Sequence, residues 1–366
     1  MDKFCVFCGQ RPESKNREHV IPKWLIELTG DPNRTVYLGR DWTSPDLKER
    51  KFALSSFTFP ACGACNSRFS DLEARAQFTV GAILARRSLG AEDWSAFLDW
   101  LDKVRTGLWL GQIYLNRNYR GIDPVFHIQN RIGAKDRLAV IYALREDGHT
   151  GVGWSATDTP LFQSMPSCFT LAINSFLFLN ASFDFLFSQR IGFPYPCKRE
   201  MRPQGGYWLE MARGSQQHVL PLVERQLPAG GVFLLQPMIP WEHFRTPEGH
   251  VADQSGLYDN DFVRAHCMDY AAGRGNVFRQ ERGQLVVYPK KPSQEWIPQQ
   301  PLPRGEAFHR TGVAVGHWLE DLYGNHASLE PLPEEQRRKY EEQIKGALSL
   351  HRVMTDHFLA QKDMYY

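Results

Sequence analysis

Apolar residues fall at three- and four-residue steps in two stretches near the amino terminus. Phe69, Leu72, Ala76, Val80 and Ile83 form one face of a helix starting at Asn66, with Gly90 as its stop signal. Phe97, Leu101, Val104 and Leu108 form the stripe of a second helix over residues 92–110. The first 66 residues lack this period, and breaks at Pro12, Gly30-Asp31-Pro32 and Ser44-Pro45 predict short strands and loops. After residue 120 or so, aromatic and β-branched runs bounded by turn residues predict strands. They cover 137–144, 151–155, 168–179, 182–191, 206–211, 231–236 and 284–288. Residues 289–305, rich in Pro, Gln and Lys, read as an irregular linker. Helices are expected over 311–323 and from Glu334, behind Leu332-Pro333, to the neighbourhood of Gln361.

These elements predict an α+β protein in two units. Residues 1–90 form a small first unit. Residues 91–366 form a larger one, built on a mainly antiparallel sheet with carboxy-terminal helices. A chain of 366 residues has room for two cores, and 42% hydrophobic with 23% charged residues is ordinary for a soluble globular protein. The net charge of +2 exerts no strong pull on nucleic acid, but its distribution is uneven. Residues 1–90 hold 14 Lys/Arg against 10 Asp/Glu, and the rest hold 29 against 31. The amino terminus has no apolar leader segment, and the most apolar stretch, 169–187, is interrupted by Asn174, Asn180 and Asp184. The expectation is a cytoplasmic protein with no membrane span.

Seven cysteines bear on the chemistry. Cys5/Cys8 and Cys62/Cys65 form two Cys-x-x-Cys knuckles, while Cys168, Cys197 and Cys267 stand singly, which is no disulfide framework. Two residues between sulfurs let a tight turn present both to one ion, so the paired knuckles suit tetrahedral zinc. A redox dithiol would want a single pair opening a helix in a βαβ unit, which the pattern lacks. With four sulfur ligands the zinc has no open position and acts as a structural staple. Between the knuckles lie Glu18 and His19, and Asn66 follows Cys65 directly. An imidazole can take a proton from water near neutral pH, and a carboxylate with a carboxamide can hold a hard cation.

Cys-x-x-Cys, Glu18-His19-Val20-Ile21-Pro22, then Cys-x-x-Cys-Asn leading into Ser67-Arg68-Phe69-Ser70-Asp71-Leu72-Glu73 resembles the HNH endonuclease family, in its four-cysteine zinc subgroup. The resemblance covers roughly the first 75–90 residues. It implies a ββα-metal fold, a β-hairpin carrying the histidine packed on a helix carrying the last motif residue. Transferred by position, it implies His19 as the general base, Glu18 and Asn66 as ligands of a catalytic Mg²⁺ or Mn²⁺, and Cys5, Cys8, Cys62 and Cys65 as ligands of structural zinc. The family's middle motif residue is an asparagine that orients the base. The one asparagine between the motifs here is Asn33, and no role is assigned to it. The implied substrate is DNA, double-stranded. Lys23 and Arg68 are candidate phosphate contacts, although a solvated surface explains either alone.

The second unit would then sense, target or oligomerise, answering to a small-molecule or protein trigger or to a homo-oligomer. The pairing of a small nuclease with a large partner resembles bacterial defence and mobile-element nucleases. Two rival readings stand beside this one: a non-catalytic zinc-stapled module that binds nucleic acid or a protein, and a nuclease that cuts RNA. Trp94, Trp100 and Trp109 lie at helical spacing and suit core packing or a seam between units better than base stacking.

Overall fold

A computed structural model of the chain describes all residues except 1–3, 14–15, 41–44, 47, 117–126, 146–147, 158, 184, 194, 202–206, 213–226, 239–266, 270–271, 293–297, 299, 325–333 and 362–366. Strands β1 (Arg17–His19) and β4 (Thr58–Pro60) pair antiparallel, with Glu18 opposite Phe59 and His19 opposite Thr58. Between them run helix α1 (Lys23–Leu28) and the hairpin of β2 (Thr35–Arg40) and β3 (Glu49–Ala53), closed by a 3-10 turn at Leu54–Ser56. The expectation of strands and loops alone thus misses α1. Six residues are too few to display a helical period, and Pro22 with its fixed φ opens the turn that buries Leu25 and Ile26. Helix α2 (Gly63–Leu84) follows the second knuckle, starting three residues before Asn66 and ending well short of Gly90.

Gly90 instead opens α3 (Ala91–Leu115), where Asp93 Oδ2 accepts a hydrogen bond from the Gly90 N–H at 2.9 Å. Every residue of α3 from Trp94 to Ile113 is buried, so the apolar stripe of the sequence is one face of a helix enclosed all round. On one side α3 carries the knuckle segment. Val20, Phe57, Phe59, Phe97, Leu101 and Leu108 belong to one continuous core that also takes in Ile141, Leu171 and Phe178 of the sheet. Gly111 makes the approach possible: a Cβ there would lie 2.9 Å from the Phe59 ring and 3.1 Å from that of Phe57.

The sheet has seven strands in the order β15-β14-β11-β5-β8-β7-β6, with every neighbouring pair antiparallel. These are β5 (Asp136–Ala143), β6 (Val152–Ser155), β7 (Cys168–Ile173), β8 (Phe176–Phe183), β11 (Val232–Gln236), β14 (Phe278–Glu281) and β15 (Gln284–Val287). Alternation along β5 serves two cores. Ala139 and Ile141 face α3, while Leu138, Val140 and Tyr142 belong to a second core with Val315, Leu319, Ile344 and Leu348. The last four lie on α7 (Arg304–Gly324) and α8 (Glu334–Ala360), the two expected carboxy-terminal helices, the first of which starts earlier than residue 311. Each Leu, Ile or Phe so buried contributes roughly 1.5–3 kcal/mol. Short helices α4 (Ile128–Arg131), α5 (Pro160–Ser164) and α6 (Leu186–Ile191), and the pairs β9 (Tyr195–Met201)–β10 (Tyr207–Ala212) and β12 (Cys267–Asp269)–β13 (Arg274–Gly275), complete the described elements.

Two expected strands are corrected. The run 168–179 is split by a turn at Asn174, whose φ is 50°. The run 182–191 ends as strand at Phe183, because Phe185 adopts φ 61° and turns the chain into α6. Alternating phenylalanines there mimic a period of two across a strand end and a helix start.

Four charges of α3, Asp99, Asp102, Lys103 and Arg105, are buried as well, and each is paired. Asp102 accepts from Arg105 at 2.6 Å and Arg137 at 3.1 Å; Asp99 accepts from Arg137 at 2.5 Å and Arg274 at 2.6 Å. Burial works against an ionised Asp102, but Arg105 and Arg137 outweigh it and hold the carboxyl below its ordinary value. These pairs tie α3 to β5 and β13. Among the described residues, no helix is long and apolar enough to cross a membrane.

Candidate metal centre and adjoining groove

The first knuckle turns on Gly9, whose φ of 75° a side chain would strain and against which the His127 ring is pressed. Backbone bonds from Ile128 to Val6 and from Gln129 to Phe7 clamp this turn to the start of α4. The second knuckle lies at the N-terminus of α2, where Glu13 Oε1 accepts the Gly63 N–H at 2.7 Å. Together they place one sulfur from each of Cys5, Cys8, Cys62 and Cys65 within 4.8 Å of all the others. Sulfurs bonded at about 2.3 Å to one tetrahedral ion stand about 3.8 Å apart. Cys8 Sγ and Cys62 Sγ lie 3.8 Å apart, and the Cys62 N–H donates to Cys5 Sγ at 3.2 Å. The four cysteines therefore form a cluster able to hold a metal ion such as zinc.

Charge at this cluster supports the fit. Burial opposes ionisation of Cys5, but backbone N–H groups of Cys62, Cys8 and Phe7 outweigh it and lower that thiol. Cys65 is pushed up to about 12 by burial first, then by its contacts with Cys8 and Cys5. Crowded thiols resist shedding their protons together unless a cation cancels the charge, which is the donor set that zinc satisfies.

Beside the cluster runs an open groove of about 640 Å³. Its floor is the polar face of α2, Asn66, Ser70, Glu73 and Gln77, which recur at helical spacing. Glu18 comes in from β1, Asn16 from the segment before it and Trp24 from α1. Two of the expected site residues, Glu18 and Asn66, therefore meet in one groove. Asn66 Nδ2 lies 3.5 Å from Asn16 Oδ1. Glu18 Oε1 accepts from Lys103 Nζ at 2.6 Å, and the same ammonium donates to Glu73 Oε1. Burial disfavours the Lys103 ammonium, but Glu73 and Glu18 outweigh it and raise its pKa.

His19 does not line this groove. It is half-buried, and its Nε2 lies 3.0 Å from the carbonyl oxygen of Ser55. A carbonyl only accepts, so Nε2 donates here, which leaves Nδ1 as the one ring nitrogen that can accept a proton. Ser55 Oγ in turn reaches Asn33 Oδ1 at 3.2 Å, so Asn33 stands one residue removed from the histidine. Lys23 is exposed and pairs with Glu27 on its own helix at 3.6 Å. Arg68 is exposed on α2, its guanidinium 5.8 Å from the Phe69 ring centre. Neither lines the groove.

Sequence reasoning missed Glu73, Trp24 and Lys103. Glu73 was accessible, since it lies two helical turns from Asn66 on the same face. Lys103 was not, because nothing local marks a lysine of α3 as turned toward the knuckles. Comparison with protein-family models, with curated proteins and with solved structures finds no match.

Proposed function

We propose that this chain is an HNH-type endonuclease that hydrolyses phosphodiester bonds in double-stranded DNA with Mg²⁺ or Mn²⁺. One observation carries the reading: Glu18 and Asn66 come from distant parts of the chain, yet share a groove beside the four-cysteine cluster, on a strand pair that leads into a helix. Glu18 presents a carboxylate and Asn66 a carboxamide oxygen, a donor set of the kind hard divalent cations take. Glu18 and Asn66 would hold such an ion, which would supply positive charge against the scissile phosphate and the departing oxygen. His19, anchored at Nε2 by Ser55, takes the proton from the attacking water at Nδ1. The cysteine cluster holds β4 and the start of α2 in place, so the carboxamide does not wander.

A second reading has an observation of its own. Glu18 is already bonded to Lys103, and His19 stands outside the groove, which favours a zinc-stapled module that binds nucleic acid or protein without cutting it. Plasmid nicking with Mg²⁺ or Mn²⁺ separates the two, run on the parent, His19→Ala and Glu18→Gln. Ion-dependent nicking by the parent and its loss in both variants supports the nuclease. A parent that never cuts leaves the binding module, and variants that cut as well as the parent overturn the roles given to His19 and Glu18. The same assay on a labelled RNA reports which nucleic acid is the substrate.

A further inference from the structure

Lys103 lies beneath the groove, reaching from α3 with its side chain only 2% exposed to two carboxylates that line it, Glu18 and Glu73, which are 14% and 18% exposed. Its surroundings hold it there. The ammonium lies 5.7 Å from the centre of the Phe7 ring, which stacks on Phe69 at 4.6 Å, and Glu73 Oε2 accepts the Trp24 Nε1–H at 2.7 Å. Two of the three N–H donors of the ammonium are thus taken by carboxylates, and the Phe7 ring lies beside it. The groove thus brings together two carboxylates from different elements around one positive charge supplied by the protein itself.

We infer that Lys103 is a positioning residue that acts as the groove's internal cation, holding Glu18 and Glu73 side by side and competing with the divalent ion for Glu18. The inference rests on the nuclease reading and deepens it. Two carboxylates against one ammonium leave a net negative charge, enough to attract a divalent ion but far less than the bare pair would be. An ion bound at Glu18 lies close to the ammonium, and repulsion at such range weakens binding by at least about tenfold. The groove therefore holds its ion weakly until a phosphate adds negative charge.

The test is Mn²⁺ titration by calorimetry into the full-length, zinc-loaded protein, the parent beside Lys103→Met and Glu73→Gln. Lys103→Met is expected to bind Mn²⁺ at least about tenfold more tightly and to gain more thermal stability from it than the parent does. Glu73→Gln leaves the ammonium to Glu18 alone and is expected to bind about tenfold more weakly. Should Lys103→Met fail to fold, judged by zinc content and far-UV circular dichroism, Glu73→Gln decides. Unchanged affinity in a folded Glu73→Gln, or unchanged or weaker affinity in a folded Lys103→Met, overturns the inference. If the parent nicks DNA regardless, the nuclease reading stands without it. Absence of Mn²⁺ binding in every protein, with no nicking by the parent, overturns both.

Discussion

His19 Nε2 and the Ser55 carbonyl oxygen lie 3.0 Å apart, and this contact sets which ring nitrogen is free to accept a proton. His19→Ala is expected to lower nicking about 10²–10⁴-fold while zinc content and melting temperature stay near those of the parent. Asn33→Ala loosens Ser55 at one remove and is expected to cost on the order of tenfold. Initial nicking rates on a supercoiled plasmid read both, and a histidine variant as active as the parent would sink the assignment.

Cys62→Ser removes one of four sulfurs from a cluster whose backbone also bonds Cys5. Zinc content should fall below stoichiometry, and the melting temperature should drop by on the order of 10 °C. Metal analysis and thermal denaturation check this. Unaltered values for both would show that the cysteines do not staple the fold.

Gly111→Ala tests the close approach of α3 to the β1–β4 pair. In an exposed helix this change stabilises by up to about 1 kcal/mol, as expected for Gly81→Ala in α2, where an added Cβ meets nothing within 4 Å. At Gly111 the methyl meets Phe59 at 2.9 Å, and Phe59 is itself packed on Tyr114. Overpacking outweighs the helical gain, for a net loss of about 1–2 kcal/mol. Urea denaturation of the two variants should give opposite signs.

Asp136 supplies a pH prediction. Burial raises its carboxyl to about 7, against hydrogen bonds from Ser188 that pull the other way. The folded protein thus keeps a proton that the unfolded chain loses near pH 4, so this residue's contribution is largest in acid. It is lost as the pH rises toward 7 and is flat above. Asp136→Asn removes the charge that must be buried at high pH. Its melting temperature, relative to the parent, should therefore be higher at pH 8 than at pH 5. A difference independent of pH would contradict the burial argument.

Much of this architecture was legible in the chain. Knuckle spacing announced the four-sulfur cluster, because ligand geometry is local at each pair. Periods of 3.6 and 2 announced α2, α3 and most of the sheet. Local signals failed where burial was decided from afar. Asp99, Asp102, Lys103 and Arg105 carry no local mark of burial, yet all four are buried, each against a partner distant in sequence or, for Arg105, one turn away. β14 was overlooked because Arg279, Gln280 and Glu281 look like surface. Its pairing with β15 is set by the Arg282-Gly283 turn, where both φ angles are positive. The groove was half legible, with Glu18 and Asn66 visible as motif residues and Lys103 hidden by the tertiary fold.

Enclosure of α3 on every side also orders events at the ribosome. Both knuckles emerge before the helix and the sheet that cover them, so an ion can reach the sulfurs while they are still open to water. In the finished fold Cys5 and Cys62 are buried while Cys8 and Cys65 stay partly exposed, so an ion held there would be walled by protein on one side and meet solvent on the other.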